Sequence, residues 1–178
     1  LSCNQNNKTI EGNLSNQKEA TTLYLEELFP EIDPIFIDSC KVEDGKFSFD
    51  VKQENIGIYK LYHTPNNFAI LIVKNGDQIK LDMDLNNLAI YYGNGSIEIE
   101  GYVRILNIFN DTKLSEDSLR MVYQKAEGTA DQQMVMERVM IRYNELMFLQ
   151  QEKIKEYIVN NSNNFATVLA LINLGSIE

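Results

Sequence analysis

Few of the 178 residues are of types that perform chemistry, and their spacing argues against most of it. His63 is the sole histidine and precedes Thr64-Pro65 in a turn. A catalytic base needs a nucleophile and an orienting partner beside it, and no Gly-x-Ser-x-Gly elbow is present. His63 therefore reads as a surface histidine. Cys40 lies within an apolar strand and has no second Cys at C-x-x-C spacing. A reactive thiol needs a nearby cation or helix N-terminus, and Lys41 points to the other face of a strand, so Cys40 reads as structural. Asp82 and Asp84, with Glu98 and Glu100, contain the carboxylates that calcium binding or glycoside hydrolysis would use. Strand alternation accounts for them as a solvated face. Gly93-Asn94-Gly95 reads as a turn, because no Lys-Ser/Thr follows to make a phosphate loop. The aromatic group Tyr59, Tyr62 and Phe68 is the one candidate ligand platform, suited to stacking on sugar rings. Strands are rich in aromatics in any case.

The N-terminus carries a sharper signal. Leu1-Ser2-Cys3 is followed by Asn4, Gln5, Asn6 and Asn7. This resembles the end of a bacterial lipobox, in which the Cys takes the lipid and a polar stretch tethers the domain to the bilayer. Cys3 is therefore the expected lipid-attachment site.

Composition narrows the class. The chain has 16 Lys and Arg against 26 Asp and Glu, a net charge of −10, the wrong sign for a nucleic-acid partner. Hydrophobic residues make up 44%, too many for a disordered chain, yet no apolar run reaches the length of a membrane span. One His and two unclustered Cys do not compose a zinc site. No cofactor is expected.

The elements divide near residue 101. All three prolines lie in the first 65 residues, and seven of nine glycines lie at or before Gly101. Residues 1–101 carry 8 Lys against 16 Asp and Glu, so the acidity is concentrated there. Segments Lys8–Leu14, Thr22–Leu28, Ile35–Val42, Lys46–Val51, Gly57–Tyr62, Phe68–Val73 and Gln78–Leu85 read as strands, with a last short one from Ala89–Tyr92 and Ser96–Ile99. Asp44-Gly45 predicts a hairpin turn, and Asn75-Gly76 and Asn94-Gly95 predict further turns. Phe47, Phe49 and Val51, like Ile79, Leu81, Met83 and Leu85, alternate with polar residues, so each strand has one buried face. The remainder reads as helices. Tyr102–Phe109 is expected to end near Asn110-Asp111, and another helix to start at Ser115. A stripe of Val135, Val139, Tyr143, Leu146, Ile154 and Ile158 runs along a third, widened by Met136, Met140 and Met147. Asn163 or Asn164 is expected to cap a last helix, Phe165–Leu174. The expected fold is α+β: an N-terminal antiparallel β-sandwich or open barrel followed by a C-terminal helical segment. Residues 1–9 would be the tether, 10–100 the β-domain and 101–178 the helices.

The order of several short stretches resembles a family of bacterial lipoproteins. Its members carry a β-rich N-terminal domain of unknown function and a C-terminal thioredoxin-like domain of the alkyl hydroperoxide reductase/thiol-specific antioxidant group. Ile10-Glu11-Gly12-Asn13-Leu14 resembles its first strand, and Leu23-Tyr24-Leu25 its second. Ile37-Asp38-Ser39 with Val42 and Asp44-Gly45-Lys46-Phe47-Ser48-Phe49 resembles its most recognisable stretch. Gly57-Ile58-Tyr59-Lys60-Leu61 and Gly95-Ser96 resemble later ones. The family's redox chemistry resides in a W-C-x-x-C motif, and this chain has neither Trp nor C-x-x-C. No catalytic residue carries over.

The resemblance implies a non-catalytic N-terminal region of a lipid-anchored periplasmic thiol-disulfide oxidoreductase, with the thioredoxin-like domain expected beyond Glu178. Its role would be that of a spacer, dimerisation element or client-recognition surface, selecting partners by charge complementarity. Expected partners are the cell or outer membrane, reached through the lipid, client proteins of the redox domain, and a second copy in a homodimer. The alternative is a stand-alone lipoprotein that binds a small ligand or glycan through Tyr59, Tyr62 and Phe68.

Overall fold

The computed structural model describes residues 9–17, 20–29, 31–52 and 54–175. The expected lipid site Cys3 lies outside them. The strands are β1 (Ile10–Ser15), β2 (Thr22–Leu28), β3 (Ile35–Lys41), β4 (Lys46–Phe49), β5 (Gly57–Thr64), β6 (Asn67–Val73), β7 (Ile79–Asp84) and β8 (Tyr91–Asn94). The helices are α1 (Ile97–Ala126), α2 (Gln132–Asn160) and α3 (Ala166–Gly175). The chain divides at Val103/Arg104 into a β-rich unit, which includes the first residues of α1, and a helical unit.

The β-rich unit holds two four-stranded sheets, ordered β4-β1-β7-β8 and β3-β2-β5-β6, rather than a closed barrel. Ile10, Leu14, Phe47, Phe49, Ile79 and Leu81 are buried from the first sheet. Leu23, Leu25, Tyr59, Leu61, Ala69 and Leu71 are buried from the second. Each full-size apolar side chain so buried contributes roughly 1.5–3 kcal/mol. The Tyr91 hydroxyl joins the sheets by donating to the Ile70 carbonyl at 2.7 Å.

Three expectations change in this unit. The strands are not uniformly antiparallel: β1 pairs with β7 in parallel, Ile10 opposite Ile79 through Ser15 opposite Asp84. Alternation in sequence reports which side chains face inward but is silent on strand direction. Asp44-Gly45 does turn the chain, with φ of 50° and 73°, but it closes only a single bridge, Glu43 to Lys46. Beyond it β3 joins one sheet and β4 the other. Asn75-Gly76 likewise links β6 to β7 across the two sheets. A tight turn fixes a local reversal, whereas the choice of pairing partner follows from burying two inner faces. Finally, Ser96–Ile99 is helix start rather than strand. The Ser96 hydroxyl accepts from the Glu98 amide at 3.3 Å, and the Glu100 carboxylate accepts from the Gly95 amide at 3.3 Å. Both acids sit in the first turn of α1, where the helix dipole favours them.

In the helical part, α1 runs unbroken through Asn110-Asp111 and Ser115, where an end and a new start were expected. Thr112, Ser115 and Ser118 each donate their hydroxyl to the carbonyl four residues back, at 2.9–3.0 Å. Their hydroxyls are thus satisfied without ending the helix. α1 ends at Ala126, and Gly128 takes a φ of 75° in the turn that follows. On α2, Ile154 is the one member of the expected stripe that is buried, joined by Gln150 and Tyr157; Val135, Val139, Leu146 and Ile158 are half-buried, and Tyr143, Met136 and Met140 are exposed. Asn164 caps α3, accepting from the Ala166 amide at 2.7 Å.

Candidate functional site

The expected platform residues do not share a face. Tyr59 points into the core at 1% exposure. Burial, and then the adjacent Glu27 carboxylate, pushes its phenol above the ordinary tyrosine range. Its neighbours in alternation, Lys60 and Tyr62, lie on the opposite side of β5, and Phe68 stands directly across from Tyr62 on β6. The structure therefore brings Tyr62 and Phe68 together and leaves Tyr59 in the core.

The register extends that pair into an ordered outer face. One cross-strand row runs Ser39, Tyr24, Tyr62, Phe68. The next runs Phe36, Glu26, Lys60, Ile70, and a third Leu28, Ile58, Ile72. A bulge between Leu25 and Glu26 brings Phe36 opposite Glu26, so an aromatic side chain on the edge strand joins the face. Phe36 is 58% exposed and Phe68 37%, whereas Tyr24, Glu26, Lys60, Tyr62 and Ile70 are half-buried.

The contacts within this face are specific. The rings of Tyr24 and Tyr62 stack with centroids 5.3 Å apart. The Lys60 ammonium lies 5.0 Å from the ring centroids of both Tyr62 and Phe68, close enough for cation–π attraction. The Tyr62 hydroxyl donates to the Glu26 carboxylate at 2.6 Å. That bond, with burial and the carboxylate's charge behind it, pushes the Tyr62 phenol up to about 12. No ion pair within 4 Å ties Lys60 to a carboxylate among the described residues. Chemically, the face offers π-surfaces, one cation and one carboxylate, which suits binding rather than bond making.

The outer face of the other sheet contrasts with it. Glu11, Asn13, Lys46, Ser48, Lys80, Asp82 and Asn94 line an open polar groove of about 870 Å³. Asn13 donates to Asp82 at 2.7 Å. Asp84, where the Asn16 side chain and the Asn86 amide donate, is held below the ordinary carboxylate range. Asp82 and Asp84 are thus hydrogen-bonded on this solvated face, and no cluster suited to a metal occurs among the described residues. Cys40 is half-buried, its thiol 3.3 Å from the Lys41 carbonyl. His63 sits at the bulge of β5, with Nδ1 3.1 Å from the Thr22 carbonyl. Nδ1 must carry the proton to make that bond.

Reading the sequence alone missed Tyr24, Glu26, Phe36 and Lys60. Tyr24 and Glu26 alternate with Leu23 and Leu25, so their outward direction was legible, but their neighbours depend on register.

Residues 8–135 match the family described as Domain of unknown function (DUF4369). The match spans all eight strands, α1 and the first residues of α2. No curated protein and no solved structure matches the chain.

Proposed function

Because the chain belongs to the DUF4369 family, we propose that it is the non-catalytic N-terminal region of a lipid-anchored periplasmic thiol-disulfide oxidoreductase. In this reading Cys3 carries the lipid, a thioredoxin-like domain supplies the redox chemistry, and the β-rich unit selects or spaces its clients. The observation that supports it is where the resembling residues fall. Gly12 of the first stretch admits no side chain beside Phe47. Asp44 and Gly45 of the second take the two positive φ values at the sheet-to-sheet corner. Gly57 and Tyr59 of the third are buried on β5. The shared residues are therefore those that build the sandwich, and the outer faces are left to partner choice.

The test uses the full-length protein in its native envelope. Metabolic labelling with palmitate should mark the wild type and not Cys3→Ser. Deleting the β-rich unit should leave insulin reduction intact and change which envelope proteins are trapped as mixed disulfides. An unlabelled wild type, or an unchanged set of trapped clients, would refute the corresponding half of the reading.

A second reading is favoured by the exposed aromatic face: a lipoprotein that binds a glycan or small ligand there. It predicts saturable binding on a glycan panel, weakened by Tyr62→Ala or Phe68→Ala. A flat response across the panel would count against it.

A further inference from the structure

We propose that the outer face of the β3-β2-β5-β6 sheet is the contact between two copies of this chain. The proposal goes beyond the redox reading, competes with the glycan reading for the same face, and rests on the self-complementarity of that face.

A two-fold interface requires one patch to match itself. Consider a two-fold axis lying in the interface, parallel to the strands and midway between β2 and β5. It exchanges β2 with the partner's β5 and β3 with the partner's β6. Within the middle row, Glu26 then faces the partner's Lys60, and Phe36 faces the partner's Ile70. In the rows on either side, Tyr24 faces the partner's Tyr62 and Leu28 faces the partner's Ile58. Each pairing follows from the strand register within a single chain. Packed sheets rotate by about 30° relative to each other, which shifts the outer strands most and the Glu26–Lys60 row, close to the axis, least.

Charge selects this face. Residues 1–101 carry 8 Lys against 16 Asp and Glu, so most approaches between two copies are repulsive. Glu26 and Lys60 are the only charged side chains in the three rows and sum to zero. Lys60 rests on aromatic rings without a carboxylate partner among the described residues, so its charge is available to the partner's Glu26. Apolar side chains occur in all three rows, although Ile72 of the third is already fully buried and lies outside the contact, whereas the opposite sheet's outer face is polar. Four strands span about 14 Å between their outer axes, and the five residues of the three rows about 17 Å along them. That footprint of a few hundred Å² per copy is well under the roughly 800 Å² per partner of a standard interface, so association should be weak and concentration-dependent, with a Kd of roughly 10–100 micromolar.

The experiment is sedimentation velocity on the full 178-residue chain from about 1 to several hundred micromolar, with circular dichroism to confirm folding. The wild type should pass from monomer to dimer over this range. Glu26→Lys sets two cations face to face, and Lys60→Glu two carboxylates, and each should weaken self-association at least tenfold. An equimolar mixture of these two variants sets every introduced charge opposite its complement and should restore dimers. Phe36→Ser, at an exposed edge position, should weaken association without touching the charged pair. A wild type that stays monomeric throughout would overturn the proposal. So would dimers indifferent to all three substitutions, or folded single variants whose mixture does not associate.

Discussion

Gly12→Ala tests the packing of the sandwich most directly. Gly12 sits mid-strand on β1, between Phe47 on β4 and Leu81 on β7. An added Cβ would stand 2.7 Å from Cε1 of Phe47 and 2.8 Å from the Leu81 carbonyl oxygen. The Phe47 ring is buried, and the Leu81 oxygen belongs to the backbone of the neighbouring strand, so neither moves freely. Overpacking of this kind costs typically 1–3 kcal/mol, and a backbone neighbour places it near the top, at about 3 kcal/mol. For a unit of roughly 100 residues this corresponds to a fall in Tm of about 10–20 °C. The assay is urea and thermal unfolding followed by near-ultraviolet circular dichroism of the tyrosines. Phe47→Leu removes the ring atoms nearest the new methyl, so Gly12→Ala should cost at least about 1 kcal/mol less in that background. Gly76→Ala is the control. Its φ is 88° with open space around the position, so it should cost about 1 kcal/mol from the left-handed backbone alone and ignore the Phe47 background. A Gly12→Ala variant within about 0.5 kcal/mol of wild type, or one equally destabilised in both backgrounds, would refute the packing argument.

Other predictions separate core from surface. Tyr59→Ala should destabilise by about 3–5 kcal/mol in chemical denaturation, since a large aromatic leaves a core cavity, whereas Tyr62→Ala should cost clearly less. Glu26→Gln weakens the hydrogen bond that chiefly raises Tyr62 and removes the carboxylate charge behind it, and should bring its ionisation down from about 12 toward the ordinary tyrosine value of 10, read by ultraviolet titration. Because the folded-state value is raised, this proton stabilises the wild type below pH 10 and is lost as the pH rises toward 12; Glu26→Gln should flatten that decline. Asn164→Ala removes the α3 cap and should cost about 1 kcal/mol, with faster hydrogen exchange at the Ala166 amide as the local readout.

How far the candidate site was legible follows from individual residues. Tyr62 and Phe68 were visible as strand aromatics, and the structure sets them side by side. Tyr59 was grouped with them by proximity in sequence, yet β alternation already sends residues 59 and 62 to opposite faces. The remaining members, Tyr24, Glu26 and Phe36, come from strands 26–44 positions away, and a bulge at Ile37 of β3 sets the place of Phe36. No local signal announces a bulge. In α1, Asn110-Asp111 and Ser115 resembled a break because such residues favour caps and turns, and Thr112 and Ser118 lie beside them. The hydroxyls of Thr112, Ser115 and Ser118 bond back within the helix instead.

The sequence by itself determined the order of strands then helices, the inward sides of β4 and β7, the Asp44-Gly45 turn and a helix cap at Asn163 or Asn164. These depend on periodicity and on residues within a few positions of each other, where sterics and local hydrogen bonds act. Only the tertiary structure decided that β1 runs parallel to β7, that two strong turns cross between sheets, and that the aromatic face is four strands wide. Those outcomes depend on which distant segments bury each other's apolar faces, and that choice is made by the whole core at once.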